Sequence, residues 1–446
     1  MLNRFFRISE MNSSVRAEIS GGTTTFITMA YIIVVNPAIL AAAGFPPGPT
    51  TVATIVVAVV GSLLMGLYAN RPIAVAPYMG ENAFIAYGLS AMTIGPDHLP
   101  ITWQMRLGAV FVSGILFLVI TLLGIRGWLA QAISPAMKYS FGAGIGLFLA
   151  FIGLHNTGLI ESNTKEVPVK IGNFHDPKVL LAAGCFLVMA ALLCRGVRSA
   201  IILCIVLTAV AGYALGLAEA PKGIAQLPVG EELDMRAIAL QLDIRSVLQL
   251  SFLPILITLV LMSFLDTLGT LVAVGSAGNL LDEHGNFPQI ERPMLVDAVS
   301  CIFASLIGTS TSGAFIESAA GIRDGARTGL AAVVTALLFA VSLFFLPLIQ
   351  PLQGLSYAYG PALIAVGVLM LGSLAKIPFD DLTEVVPAFV TIVIMIFTYN
   401  IANGLTAGLI TYPVIKLLTG RWRDLNGGSI VLALACLVYY VFGLPH

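Results

Sequence analysis

The sequence predicts an all-α polytopic membrane protein of about fourteen transmembrane segments in two inverted seven-span repeats, and three observations carry that prediction. Of 446 residues, 58% are hydrophobic and only 10% charged, with a mean hydropathy of +0.96, whereas soluble domains carry about 25% charged residues. Charge-free stretches run through residues 19–70, 107–125, 179–194, 246–265, 328–375 and 385–415. About 20 apolar residues span a bilayer core, so several of these stretches hold two spans each. Hydropathy read against Pro, Gly and charge breaks divides the chain into seven segments before a polar stretch and seven after it. An odd number per half starts the second seven from the opposite face, which is the condition for an inverted repeat.

The charged opening, MLNRFFRISEMNSSVRAEIS, lacks the apolar centre and small-residue cleavage site of a signal peptide and predicts a short cytosolic segment over 1–18. The first seven spans are expected near 19–42, 50–69, 73–92, 104–124, 138–157, 178–195 and 199–218. After the polar stretch come 252–275, 293–308, 310–322, 328–348, 358–375, 384–399 and 401–418, with a further apolar stretch at 427–444 outside the count. With a cytosolic N-terminus, this topology puts 15 Lys/Arg inside and 7 outside, Arg106 among the latter, in agreement with the positive-inside bias. All five cysteines (Cys185, Cys194, Cys204, Cys301, Cys436) fall in or at the ends of apolar segments without metal-site spacing, and read as buried small hydrophobes. A net charge of −1 offers no nucleic-acid footprint.

Two segments are abnormal. RPIAVAPYMGENAFIAYG (71–88) holds two prolines and two glycines, and GTSTSGAFIESAAG (308–321) holds three glycines, so neither is one uninterrupted helix. AFI at 83–85 returns at 314–316, an offset of 231, which also carries VNPA (35–38) onto DTLG (266–269), a polar break in each span. Paired interrupted segments point to a transporter's substrate site, because half-helix N-termini present free N–H groups near the midplane. AVAP before Gly80 and TSTS before Gly313 each suit a short strand leading into a half-helix.

Four carboxylates lie in or at the edge of spans: Glu81, Asp266, Asp297 and Glu317. A charged carboxylate at a helix centre costs about 2.5 to 3.5 kcal/mol on insertion scales, so such groups have partners, stay protonated or face water. Glu317, near the N-terminus of a half-helix starting at Gly313, reads as a substrate or proton ligand; the plainer reading is an acceptor for a broken backbone. Asp266 reads likewise, with Thr270 on its helix face, against an acid that ties down the next span. Glu81 and Asn82 open the partner half-helix and are equally balanced between capping and substrate contact. Asp297, beside Arg292, reads as an interfacial structural acid. Phe84 and Phe315 could stack on a planar ligand, although membrane aromatics more often pack. GAGIGLFLAFIG (142–153) reads as close helix packing through small residues rather than a phosphate loop, and His155 as an interfacial polar residue.

TFITMAYIIVVNPAIL (25–40), APYMGENAFIAYG (76–88), GIGLFLAFIGL (144–154), DTLGTL (266–271), GTSTSGAFIESAAGI (308–322), RTGLAAVVTALLF (327–339) and PAFVTIVIMIFTYNIANG (387–404) resemble the azaguanine-type purine permeases of the nucleobase:cation symporter 2 family. The resemblance implies the uracil-permease-like fold, with a core domain (19–124 and 252–348) moving against a gate domain (125–218 and 349–446), and 219–251 as an extracytoplasmic connector. It implies proton-coupled uptake of a purine nucleobase across the cytoplasmic membrane, with Asp266 and Glu317 as ligands, no cofactor or metal, and H+ as coupling ion. Relatives of this fold often pair through the gate, which makes a homodimer an expectation. Tyr78 and Glu81 depart from the commoner pattern, which has Gly and Leu there.

A purine offers N–H donors and N or O acceptors on its edge. Glu317 and Asp266 suit the donors, and backbone N–H groups near Gly80, Asn82 and Ala314 suit the acceptors. An anion carrier of the same fold is the first rival, disfavoured by two acids at the site. An intramembrane aspartyl hydrolase is the second, disfavoured because the chain lacks the GxGD and Asp–Asp pair that chemistry uses.

Overall fold

The computed structural model describes residues 2–91, 93–94, 99–124, 128, 132–162, 168–227, 230, 233–249, 252–278 and 287–442. In chain order its principal elements are α1 (Val15–Met29), α2 (Ile32–Ala41), α3 (Pro47–Leu64), β1 (Val75–Pro77), α4 (Met79–Ala86), α5 (Trp103–Leu122), α6 (Pro135–Asn156), α7 (Pro177–Cys194) and α8 (Ala200–Ala214). There follow α9 (Leu253–Ala277), α10 (Glu291–Ile307), β2 (Ser312–Ala314), α11 (Ser318–Arg323), α12 (Gly329–Ser342), α13 (Leu346–Gln353), α14 (Ser356–Met370), α15 (Leu382–Phe397), α16 (Ile401–Leu418) and α17 (Gly427–Phe442). Among the described residues, nine helical segments are long and apolar enough to cross a membrane, and three shorter apolar helices join them. The stretch at 427–444, outside the expected count, is helical as far as it is described, and packs on α16 and α9.

Packing sorts the helices into two sets. The first comprises α1–α5 and α9–α12 with both strands; α12 lies against α1 and α3, α10 against α5 and α3. The second is built on α6 and α14, which pack along each other; α6 also carries α15 and α16, while α14 carries α7 and α8. That exchange of partners is what a two-fold axis in the membrane plane would generate, since each central helix supports the outer pair of the other half.

The α6–α14 contact is made by glycines, as the small-residue run suggests. A Cβ at Gly146 would lie 2.6 Å from Met370 Cβ and 2.9 Å from Gly367 O, and one at Gly153 would lie 2.7 Å from Gly360 O. Backbone thus meets backbone, the closest packing available where lipid removes the hydrophobic drive between helices.

Several expectations shift. The first span starts at Val15 and breaks at Ala30–Tyr31, while Asn36 and Pro37 of VNPA lie inside α2. Asp266 and Thr267 leave α9 unbroken from 253 to 277; DTLG contains no proline, so polar side chains alone do not interrupt the ladder. Arg106, expected outside, is buried at 4% exposure. Cys194 is exposed, unlike the other four cysteines.

Gly146→Val should lower the stability of the α6–α14 contact by about 1–3 kcal/mol through overpacking, read as a fall in the midpoint of thermal unfolding in detergent. Gly184→Ala, where the added Cβ meets nothing within 4 Å, should leave the midpoint unchanged.

Candidate functional site

β1 and β2 cross as an antiparallel pair, Val75 opposite Ala314, Ala76 opposite Gly313 and Pro77 opposite Ser312. Extended backbone inside a membrane protein must satisfy every N–H and C=O from protein groups, and the neighbours of the ladder do this. Tyr78 N–H donates to Thr311 O (2.9 Å) and Phe315 N–H to Ala74 O (2.9 Å). Ala74 N–H donates to Ser318 Oγ (3.0 Å), and Ser62 Oγ both accepts from Val75 N–H (3.0 Å) and donates to Val75 O (3.2 Å). Gly313 is required at the centre, because a Cβ there would fall inside the Tyr78 ring. The first expected strand lies where AVAP places it; the second is shifted past TSTS, and its half-helix begins at Ser318 rather than Gly313.

The strands begin 237 residues apart, at Val75 and Ser312, not at the 231 of the AFI echo. At the structural offset Tyr78 corresponds to Phe315, and Gly80 to Glu317. Tyr78 and Phe315 are the first residue after each strand, and their rings lie parallel (8°) with centroids 6.5 Å apart. Phe84, paired with Phe315 by the echo, is instead wholly buried on α4 with its ring against Gly88.

Glu317 is the N-cap residue of α11 and half-buried. Its Oε1 accepts a 2.7 Å hydrogen bond from Tyr31, at the break between α1 and α2. Tyr31 was missed by the sequence reading; a phenol at a helix break in an apolar span is the signal that could have found it. Asp266 is half-buried on α9, which packs on α11 and β2, and its carboxylate makes no hydrogen bond among the described residues. Thr270 is half-buried one turn on, and Gly269 between them is exposed, with open space at its Cα.

Behind these lies a wholly buried group. Glu81 Oε2 accepts from Ser263 (2.9 Å), while its Oε1 has no partner among the described residues. Asn82 Nδ2 donates to Asn36 O (3.3 Å), leaving Oδ1 unpaired. Asp297 is not interfacial but fully buried in the crossing. Its Oδ2 takes bonds from Ala314 N–H (3.0 Å), Thr267 (2.9 Å) and Tyr78 (3.3 Å). Position in α10 favours this, since the residue faces β2, whose Ala314 amide would otherwise be orphaned. The Ala314 amide is therefore engaged. Gly80 packs on Ile145 of α6, where a Cβ would lie 2.5 Å from Ile145 Cγ2, and the amides of Met79, Gly80 and Glu81 form the first turn of α4, which has no intrahelical acceptors.

None of the four carboxylates joins an ion pair among the described residues. The site thus combines half-buried acceptors, an aromatic pair and a helix N-terminus, groups chemically suited to the edge and the face of a flat polar heterocycle.

Comparison with known proteins agrees in sequence and in shape. The chain is 39% identical to the adenine permease AdeP of Escherichia coli over all of this chain and 97% of that one. It is 37% identical to the guanine/hypoxanthine permease PbuO of Bacillus subtilis over 96% of this chain and 98% of that one. Its fold is similar to that of the transmembrane domain of the cyanobacterial bicarbonate transporter BicA, with a TM-score of 0.63 at 18% identity, covering 89% of this chain and 97% of that one. Residues 16–406 match the sequence model of the permease family Xan_ur_permease, and the chain belongs to that family.

Proposed function

We propose that the protein is a secondary active transporter that takes up a purine nucleobase together with a proton across the cytoplasmic membrane. One observation carries the reading: two half-buried carboxylates, Glu317 and Asp266, stand without cationic partners among the described residues, beside a parallel Tyr78–Phe315 ring pair. Carboxylates accept from the N–H edge of a base, the rings offer a face, and the free amides of the first turn of α4 donate to ring nitrogens or a carbonyl. Relatives named for adenine and for guanine and hypoxanthine support a purine rather than another planar solute.

In this reading the strand crossing belongs to a core (residues 19–124 and 252–348) that shifts against a gate (125–218 and 349–446) across fourteen crossings, with the N-terminus cytosolic and the gates of two copies in contact. Asp266, with no hydrogen bond among the described residues to hold its charge, is the better proton carrier, and Glu317, fixed by Tyr31, the better substrate anchor. An anion carrier of the same fold fits less well, because none of the four acids has a cationic partner among the described residues, and each one that ionises repels an anion.

Glu317→Gln and Asp266→Asn should each cut uptake of labelled adenine or hypoxanthine at least tenfold while reaching the membrane in normal amounts; uptake at the original rate in both variants would falsify the assignment. Tyr31→Phe removes one hydrogen bond to a charged group, worth about 1.5–3 kcal/mol, and should raise KM roughly tenfold or more with Vmax little changed. Purified protein should gain thermal stability from purines and none from sulfate or bicarbonate. At a ligand concentration of 100 times Kd the gain is about 2.7 kcal/mol.

A further inference from the structure

The two half-helices end in matching surroundings. At the end of α4, the buried Arg106 of α5 donates to Ile85 O (2.6 Å) and Ala86 O (3.0 Å). At the end of α11, Arg327, just before α12, donates to Ile322 O (2.6 Å) and Ala326 O (2.7 Å). The helix that follows each half-helix therefore supplies, at or just before its first turn, a guanidinium to the exposed carbonyls, where a cation is favoured.

Each end is also touched by a loop from the other set of helices. Asn400, between α15 and α16, donates from Nδ2 to Gly88 O (3.2 Å). The adjoining Tyr399 ring meets Tyr87 at 5.8 Å, and Phe148 and Phe151 of α6 at 5.3 and 5.7 Å. Tyr87 in turn accepts from Asn156 at the end of α6 (3.2 Å). Tyr399 has φ +53, a left-handed conformation that a bulky residue adopts only where surrounding contacts enforce it. At the opposite end, Arg198, between α7 and α8, pairs with Asp324 at the end of α11, and Asp324 also accepts from Thr24 of α1 (2.6 Å). The α7–α8 and α15–α16 loops are counterparts in the inverted repeat, so the same docking occurs twice.

We propose that these loops are paired latches, one neutral (Tyr399 and Asn400 on Tyr87 and Gly88) and one ionic (Arg198 on Asp324), each of which must release for the core to move past the gate in one direction. This rests on the proposed core-against-gate movement. The arginine caps lie within the core and travel with it; the loop contacts join the two bodies and are among the bonds a relative shift breaks, as is Gln353 Nε2 to Thr51 Oγ1 (2.8 Å). Both latches are engaged in this structure. The ionic one is half-exposed, at 52% for the Arg198 side chain, so salt weakens it and leaves the other untouched.

The test uses the full chain with its five cysteines replaced by alanine. Tyr87→Cys with Tyr399→Cys, and separately Arg198→Cys with Asp324→Cys, are bridged by a short bifunctional maleimide. Bridging either pair should cut adenine uptake into proteoliposomes at least tenfold while the purine-induced thermal shift persists. In unbridged protein Asn400→Asp keeps the acceptor that Ala402 N–H uses but loses the donor to Gly88. It should speed amide hydrogen exchange several-fold across residues 84–91 only, and Arg198→Gln should do so across 319–326 only. Uptake at the unbridged rate after bridging, or exchange unchanged in both variants, overturns the latches. If wild-type protein shows no response to purines, the substrate reading falls by itself, and hydrogen exchange, which needs no substrate, still decides the latches.

Discussion

The backbone of six residues, Val75–Pro77 and Ser312–Ala314, has to leave helical geometry deep inside an apolar protein, and much of the rest of the structure answers that requirement. An unpaired peptide group there costs several kcal/mol. The strands satisfy one another across the crossing, and the flanking groups come from different helices: Ser62 of α3, Asp297 of α10 and Ser318 of α11. One buried ladder therefore ties α3 and β1 to α10, β2 and α11, two groups that sequence separates by more than two hundred residues. It also aims the start of α4 and the start of α11 into the same region.

Inversion of the two halves makes each device at the crossing come in a pair, and the differences within pairs are where function enters. Tyr78 and Phe315 keep aromatic character on both sides, but only the phenol reaches Thr267 (3.0 Å) and Asp297. Gly80 and Glu317 correspond, so one repeat gives close backbone approach to Ile145 and the other gives a carboxylate. A symmetric site would suit a symmetric ligand; under the proposed function, a base with donors on one edge and acceptors on another would use this asymmetry.

Composition and punctuation were enough to read the membrane class, the helical character and the two broken segments, because charge depletion, Pro and Gly act locally. The repeat register was not legible. Three identical residues suggested 231, yet Ala83–Ile85 lies inside a half-helix while Ala314–Ile316 straddles a strand end, and only hydrogen-bond pairing sets the register at 237. Asp297 is misplaced by the sequence, and Arg106 is buried, for a related reason. Each lies near a predicted span end, where charge is cheap, and each is drawn inward by an orphaned backbone group: the Ala314 N–H in one case, the Ile85 and Ala86 carbonyls in the other. Such demands arise from tertiary breaks and leave no periodic trace in sequence.

The four acids divide by surroundings. Asp297 holds three donors on one oxygen, one of them the Ala314 amide, so altering it would disturb the crossing itself, and Glu81 is enclosed between α4 and α9 with Ser263 as its donor. Asp266 and Glu317 are half-buried and stand where Gly269 and Ile316 are open, Ile316 at 52% exposure. A group that must exchange a proton or a ligand with water has to reach water, and a group that holds backbone together must not lose its bonds. In the proposed reading the first pair stays with the structure and the second serves transport, so burial separates roles that residue type alone, with Asp and Glu in each pair, cannot.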